Sequence, residues 1–316
     1  MSSSRRRLLR RLLTVALVGL VVVLLFNLVR HVDWQEVWQA LRSYSPLTLL
    51  GGLGLVATSY LLFGSFDLLG RHYTGHRLPK RQVLRVAFVC YAFNLNLGSW
   101  VGSVAMRYRL YSRLGLDIPT ITRVLSVSLV TNWLGYLLLA GTVFSFGLLE
   151  LPETWRVGTT GLRVIGVLLW SLAGCYFLAC RFAKRRTWHW GAHRIVLPSL
   201  RFALVQAVLG MANWCLMASL ILILLPPHVS FTTVLGIVLV SAIASVVTHI
   251  PAGLGVLEAI FLTLLQHKVA PSAILAALIG YRALYFLVPL AVACVLYLLL
   301  ERRARRHGDI NPTPIN

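Results

Sequence analysis

Ionisable side chains are scarce in this chain, so the few that interrupt apolar sequence are the ones whose chemistry has to be explained. The stretch VVTHIPAGLGVLE, residues 246–258, sets His249, Pro251, Gly253, Gly255 and Glu258 within a long apolar run. A carboxylate in such a place costs about 2.5 to 3.5 kcal/mol on insertion scales and calls for a partner or a polar cavity. Arg282, beside Tyr281 in AALIGYRALYFLVPL, is the matching anomaly of opposite sign, well away from either end of its apolar run. It is expected to pair with Glu258 or to hold a lipid phosphate, with snorkelling to the interface as the plain alternative. Arg107, Arg109 and Arg113, interleaved with Tyr108 and Tyr111, follow Gly98 and Gly102. Guanidinium forks present paired, planar donors that match phosphate oxygens, and a basic segment near anionic lipid gains about 1 kcal/mol per charge. These residue types therefore offer recognition of a phosphate-bearing headgroup, with Arg107 and Arg282 on the phosphate and Glu258 balancing charge. Arg109 and Arg113 read equally well as topology-setting charges. Asn94 and Asn96 either satisfy interrupted backbone or touch a ligand. His249 can titrate or bind a headgroup, hydrogen bonding at a helix end being its plainer role.

Catalytic signatures are missing from the sequence: GxSxG, HExxH, GxxxxGK[ST] and glycine-rich dinucleotide fingerprints do not occur. No catalytic residue, metal or cofactor is expected. The five cysteines, Cys90, Cys175, Cys180, Cys215 and Cys294, lie in or beside apolar runs without metal-ligand spacing, and are expected to be reduced, buried packing residues.

The elements that must position these groups follow from composition. With 58% hydrophobic and 12% charged residues in 316, and a mean hydropathy of +0.78, the chain is an all-α polytopic membrane protein. The net charge of +21 would indicate nucleic acid in a soluble protein; here it follows membrane topology, and nucleic acid is excluded as a partner. Residues 1–11 form a basic tail before an apolar run, Leu12 to Val29, that lacks a small-x-small cleavage pattern and reads as a retained anchor. Asp33 and Glu36 can cap a helix whose Trp34, Val37, Trp38, Leu41 and Tyr44 share one face, as an interfacial helix requires. Further spans are expected over Pro46 to Leu69, Pro119 to Leu149, Leu162 to Cys180, Phe202 to Leu225 and Ala273 to Leu300, about six with the anchor. Residues 301–316 form a second basic tail.

Two segments remain, Gln82 to Arg113 and Phe231 to Lys268, each interrupted by the glycines and proline above. Pro251, Gly253 and Gly255 should end one helix and let another restart near Val256. Positive charge decides their path: basic clusters follow the second, fourth and last spans, and 24 of the 30 Lys and Arg fall on one side if each segment enters and returns to its own face. Both are therefore read as re-entrant helical hairpins, although two full crossings in each would give the same loops. Span, hairpin and span over residues 46–149 then recur inverted over residues 202–300, within one transmembrane domain spanning 12–300. Inverted-repeat proteins place their sites where two interrupted elements meet near the midplane.

Three stretches, VGSVAMRYRLYSRLG, VTHIPAGLGVLEAIFL and AALIGYRALYFLVPL, resemble the YbhN-like inner-membrane proteins. These are grouped with the flippase-type transmembrane region of lysylphosphatidylglycerol synthases of the MprF kind. The resemblance implies a phospholipid-handling membrane domain without the synthase half: a lipid translocator for an anionic or modified phospholipid in a bacterial inner membrane, and the distribution of Lys and Arg puts both termini in the cytoplasm. The alternative is a non-transporting scaffold whose partner is a phospholipid-synthesising enzyme. The oligomeric state is left open.

Overall fold

Apolar helices of span length build the molecule, and their ends show how they thread. The computed structural model describes residues 34–149, 158–183, 187–190, 193–248 and 255–310; the basic N-terminal tail, the Leu12 to Val29 run, Asp33, His249, Pro251, Gly253 and residues 311–316 lie outside them. The helices are α1 (Trp34–Arg42), α2 (Pro46–Thr74), α3 (Lys80–Leu97), α4 (Met106–Arg113), α5 (Ile118–Ser145), α6 (Gly158–Phe182), α7 (Leu200–Leu224), α8 (Phe231–Thr248), α9 (Val256–Leu265), α10 (Pro271–Arg282) and α11 (Val288–Ile310). Two π-helical stretches, Ser99–Ala105 and Ala283–Leu287, join α3 to α4 and α10 to α11. Among the described residues, six segments are long and apolar enough to cross a bilayer: Pro46–Thr74, Ile118–Ser145, Thr160–Phe182, Leu200–Leu224, Phe231–Thr248 and Pro271–Leu300. Five of these were expected as spans, and the sixth is the first limb of the second interrupted segment. The basic stretch between α6 and α7, expected as a loop, carries a short antiparallel hairpin, β1 (Thr187–Trp190) with β2 (His193–Val196), paired in the register Trp188 to Ile195.

Small residues let the central helices approach closely, as in membranes, where packing rather than water expulsion drives association. Helices α5 and α7 touch backbone to backbone: a Cβ on Gly135 would lie 2.2 Å from the carbonyl carbon of Gly210, and one on Gly210 would lie 2.2 Å from the carbonyl oxygen of Thr131. Gln206 of α7 locks that crossing, donating to the Thr131 hydroxyl at 3.0 Å and accepting from Tyr176 of α6 at 2.8 Å. A second polar seam joins α2, α3, α7 and the 283–287 stretch. Ser59 donates to Asn213 at 2.7 Å and shares a 2.7 Å hydrogen bond with the Tyr285 hydroxyl, which is also 2.8 Å from that of Tyr91. Buried hydroxyls and amides thus find partners inside the bundle, as hydrocarbon surroundings demand.

The helix ends sort into two groups. At one end, the Tyr73 hydroxyl donates to the Val196 carbonyl, His72 stacks near Phe202, His76 lies near Tyr111, and Tyr108 meets Thr122. This gathers the end of α2, the end of α4, the start of α5 and the start of α7. At the other end, Tyr44 donates to the carbonyl of Leu224, its ring faces Gly280, and His228 bonds the carbonyl of Lys268 at 3.0 Å. The segment from α3 through α4 therefore finishes at the end where it began, as does the one from α8 through α9.

Two expectations are corrected in detail. Only Cys90 and Cys180 are buried; Cys175 is exposed on α6, whose outward residues would meet lipid rather than protein. The last helix also runs on through the basic residues after Leu300 to Ile310 instead of ending with the apolar run.

Candidate functional site

From each interrupted segment a charged side chain enters an ion pair, Arg107 in the first and Glu258 in the second, and each finds its partner within its own half of the chain. In the first, α3 stops where Gly98 takes φ 84°, a conformation that suits glycine. Gly102 then packs against α3 so closely that a Cβ would stand 2.0 Å from the Asn94 nitrogen. The turn of chain that follows carries Arg107 into the protein, where it is 1% exposed. Its fork is taken up by Asp67 of α2: Nη2 lies 3.0 Å from Oδ1 and Nε 3.2 Å from Oδ2. Nη1 donates to the Ser103 hydroxyl at 2.6 Å, Nη2 also reaches Ser128 of α5, and the Tyr111 hydroxyl donates to Asp67 at 2.8 Å. An equally buried carboxylate thus holds Arg107, and all three of its nitrogens are engaged.

Asp67 was not foreseen, though the signal was present. A lone carboxylate inside the apolar run Pro46 to Leu69 is the same anomaly that singled out Glu258.

In the second segment Gly255 sits at φ 79° as the N-cap of α9, so the expected restart at Val256 is found, while the stop expected at Pro251 and Gly253 lies outside the described residues. Glu258, three residues on, accepts from the Gly255 N–H at 2.9 Å and so caps the helix that carries it. The same carboxylate meets the guanidinium of Arg282, Nε to Oε1 at 2.5 Å and Nη2 to Oε2 at 3.1 Å. This expected pair is 16% and 22% exposed, against 1% and 0% for Arg107 and Asp67. Charge-assisted bidentate bonds of this kind are among the stronger polar contacts. Arg282 also lies 5.6 Å from the centre of the Phe286 ring.

Beside this pair opens a cavity of about 570 Å³. Its walls come from the elbow of the first segment (Asn94, Gly98, Trp100), from α7 (Trp214, Met217), from α8 (Ser241, Ser245) and from Leu257, Tyr281 and Phe286. None of the described residues lining it is charged, and Leu257 and Tyr281 adjoin Glu258 and Arg282 in the chain. Its volume is that of a site for a small organic ligand, typically about 300 to 1,000 Å³. Trp100, 83% exposed, stands on its wall at the first elbow.

The remaining residues singled out from sequence fall in three places. Asn96 is buried and donates to the carbonyls of Ala92 at 2.8 Å and Phe286 at 3.3 Å, the backbone-satisfying role weighed for it. The π-helical stretch frees carbonyls from the regular ladder, and Tyr60 takes that of Tyr285 at 3.0 Å. Arg109 lies 5.9 Å from the Tyr297 ring, and Arg113 is exposed in the last turn of α4. His249, Pro251 and Gly253 lie outside the described residues. Among the described residues no group of three His, Cys, Asp or Glu is placed to hold a metal.

Comparison with known proteins places this geometry. The chain is 49% identical over 306 residues to the inner membrane protein YbhN of Escherichia coli, with 96% of each chain covered. It is 29% identical over 289 residues to the uncharacterized protein slr0712 of Synechocystis, covering 87% of this chain and 88% of that one. A phosphatidylglycerol lysyltransferase of Staphylococcus haemolyticus is 21% identical over 287 residues, which are 87% of this chain but 32% of the enzyme. The sequence profile described as the lysylphosphatidylglycerol synthase TM region matches residues 11–293, taking in both interrupted segments and both ion pairs. On that match, and on the extent of the YbhN alignment, this multi-pass membrane protein belongs to the lysylphosphatidylglycerol synthase transmembrane-region family.

Proposed function

We propose that the protein is a phospholipid translocator of a bacterial inner membrane, with a phospholipid as its partner and no catalytic step of its own. The observation that carries this reading is the cavity of about 570 Å³, mostly apolar in its walls, with an ion pair close by: Arg282 lies 5.6 Å from the ring of Phe286, which lines the cavity. Apolar walls accept acyl or glycerol portions of a lipid, and a paired guanidinium and carboxylate offer a headgroup polar contacts at membrane depth. Two walls of the cavity belong to the interrupted segments. We read these as re-entrant hairpins of two inverted repeats, the elements that rearrange in transporters of this plan. The return of each segment to its starting end, through Tyr111 near His76 and His228 against Lys268, supports that reading. Inner-membrane placement draws on the printed name of YbhN, and a lipid role on that of the lysyltransferase.

The test is leaflet exchange of labelled phospholipid in liposomes containing the purified protein. Wild type is expected to exceed protein-free liposomes, and Ala242→Trp, which fills the cavity from α8, to fall at least about tenfold towards the blank. Wild-type exchange no faster than the blank would overturn translocation. A protein that still co-purifies with a phospholipid-synthesising enzyme while showing no exchange would be the scaffold instead.

A further inference from the structure

The charge beside the cavity narrows the headgroup. Arg282 and Glu258 form a neutral pair, joined by contacts of 2.5 and 3.1 Å, and the Gly255 N–H holds the same carboxylate at 2.9 Å. With 16% and 22% of the side chains exposed, neither is sealed inside the protein, yet both are only thinly screened. A headgroup phosphate that draws Arg282 away leaves Glu258 without its cation. A purely anionic headgroup then sets two negative charges against one guanidinium in an apolar surround, which is unfavourable.

Among the described residues, no charged side chain lines the cavity to restore the balance. The described residues that line the cavity are all uncharged, their polar members being Asn94, Ser99, Trp100, Trp214, Ser241, Ser245 and Tyr281. Arg107, the nearest analogue in the first segment, is spent on Asp67. A headgroup with one phosphate and one ammonium removes the conflict by exchanging partner for partner. Its phosphate takes the planar fork of Arg282, its ammonium takes the carboxylate of Glu258, and site plus lipid stay neutral throughout. Ammonium N–H groups can also donate to Glu258, which a quaternary ammonium cannot.

We propose that this ion pair beside the cavity selects a net-neutral, zwitterionic phospholipid bearing a primary ammonium, the ethanolamine type of headgroup, over a net-anionic one. The proposal rests on reading the cavity as a phospholipid site and assigns the headgroup class that site prefers. It departs from the anionic or modified phospholipid expected from sequence in choosing a lipid that carries its own cation.

The experiment measures binding and movement separately. Binding is read by native mass spectrometry of the detergent-solubilised protein with phospholipids of identical chains and ethanolamine, choline or glycerol headgroups; movement is read by leaflet exchange with the same three. The ethanolamine lipid is expected to bind at least about tenfold more tightly than the glycerol lipid, a difference of about 1.4 kcal/mol, with choline between them. Glu258→Gln leaves an unbalanced guanidinium and should invert the order in favour of the glycerol lipid. Arg282→Lys keeps the charge but loses the fork, so it should bind more weakly with the order preserved. Equal or tighter binding of the glycerol lipid by wild type overturns the proposal, as does binding of none of the three or an unchanged order in Glu258→Gln. If Glu258→Gln does not fold, the wild-type order decides alone. Selective binding of the ethanolamine lipid without exchange would keep the headgroup assignment and overturn translocation.

Discussion

A guanidinium and a carboxylate with essentially no solvent exposure persist in a bundle only while each has the other. For Arg107 and Asp67, deletion of one partner strands a buried charge, which typically costs about 3 to 5 kcal/mol. Arg107→Gln and Asp67→Asn should therefore each lower detergent stability sharply, whereas the double substitution Asp67→Leu with Arg107→Met, close in volume and apolar, should recover most of the loss. Thermal unfolding of the four proteins in one detergent checks this, and strict additivity would contradict the pairing. His76, in the connection between α2 and α3, makes a separate prediction. Burial, and then the charge of Arg71, lower its pKa from the ordinary value of 6.5, so the folded protein holds the proton less tightly than the unfolded chain. Stability should then fall as pH drops through about 6.5 and level off below the folded value, and His76→Gln should remove that part of the slope in melting temperature against pH. The pair of Glu258 with Arg282 was legible in the sequence because both charges break long apolar runs. That of Arg107 with Asp67 was not, because choosing between Asp67 and Glu258 depends on which helix lies beside α4.

Glycines decide the elements, and only some of them do so by conformation. Gly98 and Gly255 hold positive φ where a helix ends or begins, so the breaks were readable from composition alone. Gly102 and Gly135 act by contact instead, each lying where a Cβ would meet backbone within 2.0 and 2.2 Å. Backbone cannot step aside as a side-chain tip can, so Gly102→Ala and Gly135→Ala should each lose about 1 to 3 kcal/mol. Gly51→Ala, on the same kind of helix with nothing within 4 Å, should be neutral or slightly stabilising by helix propensity. Comparing the melting temperatures of the three separates contact from propensity; equal losses in all three would defeat the distinction. The π-helical stretches escaped sequence reading because their hydrogen-bond shift depends on partners elsewhere, Tyr60 and Asn96 for the 283–287 stretch. The hairpin of β1 and β2 escaped it too, since a basic stretch between spans carries strong topological information and weak strand periodicity.

The whole molecule is arranged so that one end of the bundle collects positive charge. The ends of α2, α4 and α6 and the starts of α3, α5 and α7 bring Arg71, Arg77, Lys80, Arg81, Arg113, Arg123, Arg181 and Arg201 to that end. The opposite end, where Tyr44 meets Leu224 and His228 meets Lys268, holds Arg42, Arg163 and Lys268. Basic residues flanking spans are retained in the cytoplasm, so the richer end should face it. Because the α3 to α4 and α8 to α9 segments each return to their starting end, α11 leaves the bundle at the basic end, and Ile310 should lie in the cytoplasm. A single cysteine placed at Ile310 in a variant whose five native cysteines are replaced should resist a membrane-impermeant thiol reagent in intact cells and react after permeabilisation. A cysteine at Ser230, before α8, should react in intact cells. If position 310 is labelled from outside while position 230 is protected, the bundle is inverted. If both are labelled, one interrupted segment crosses an odd number of times, and the inverted-repeat reading falls with the hairpin on which it depends.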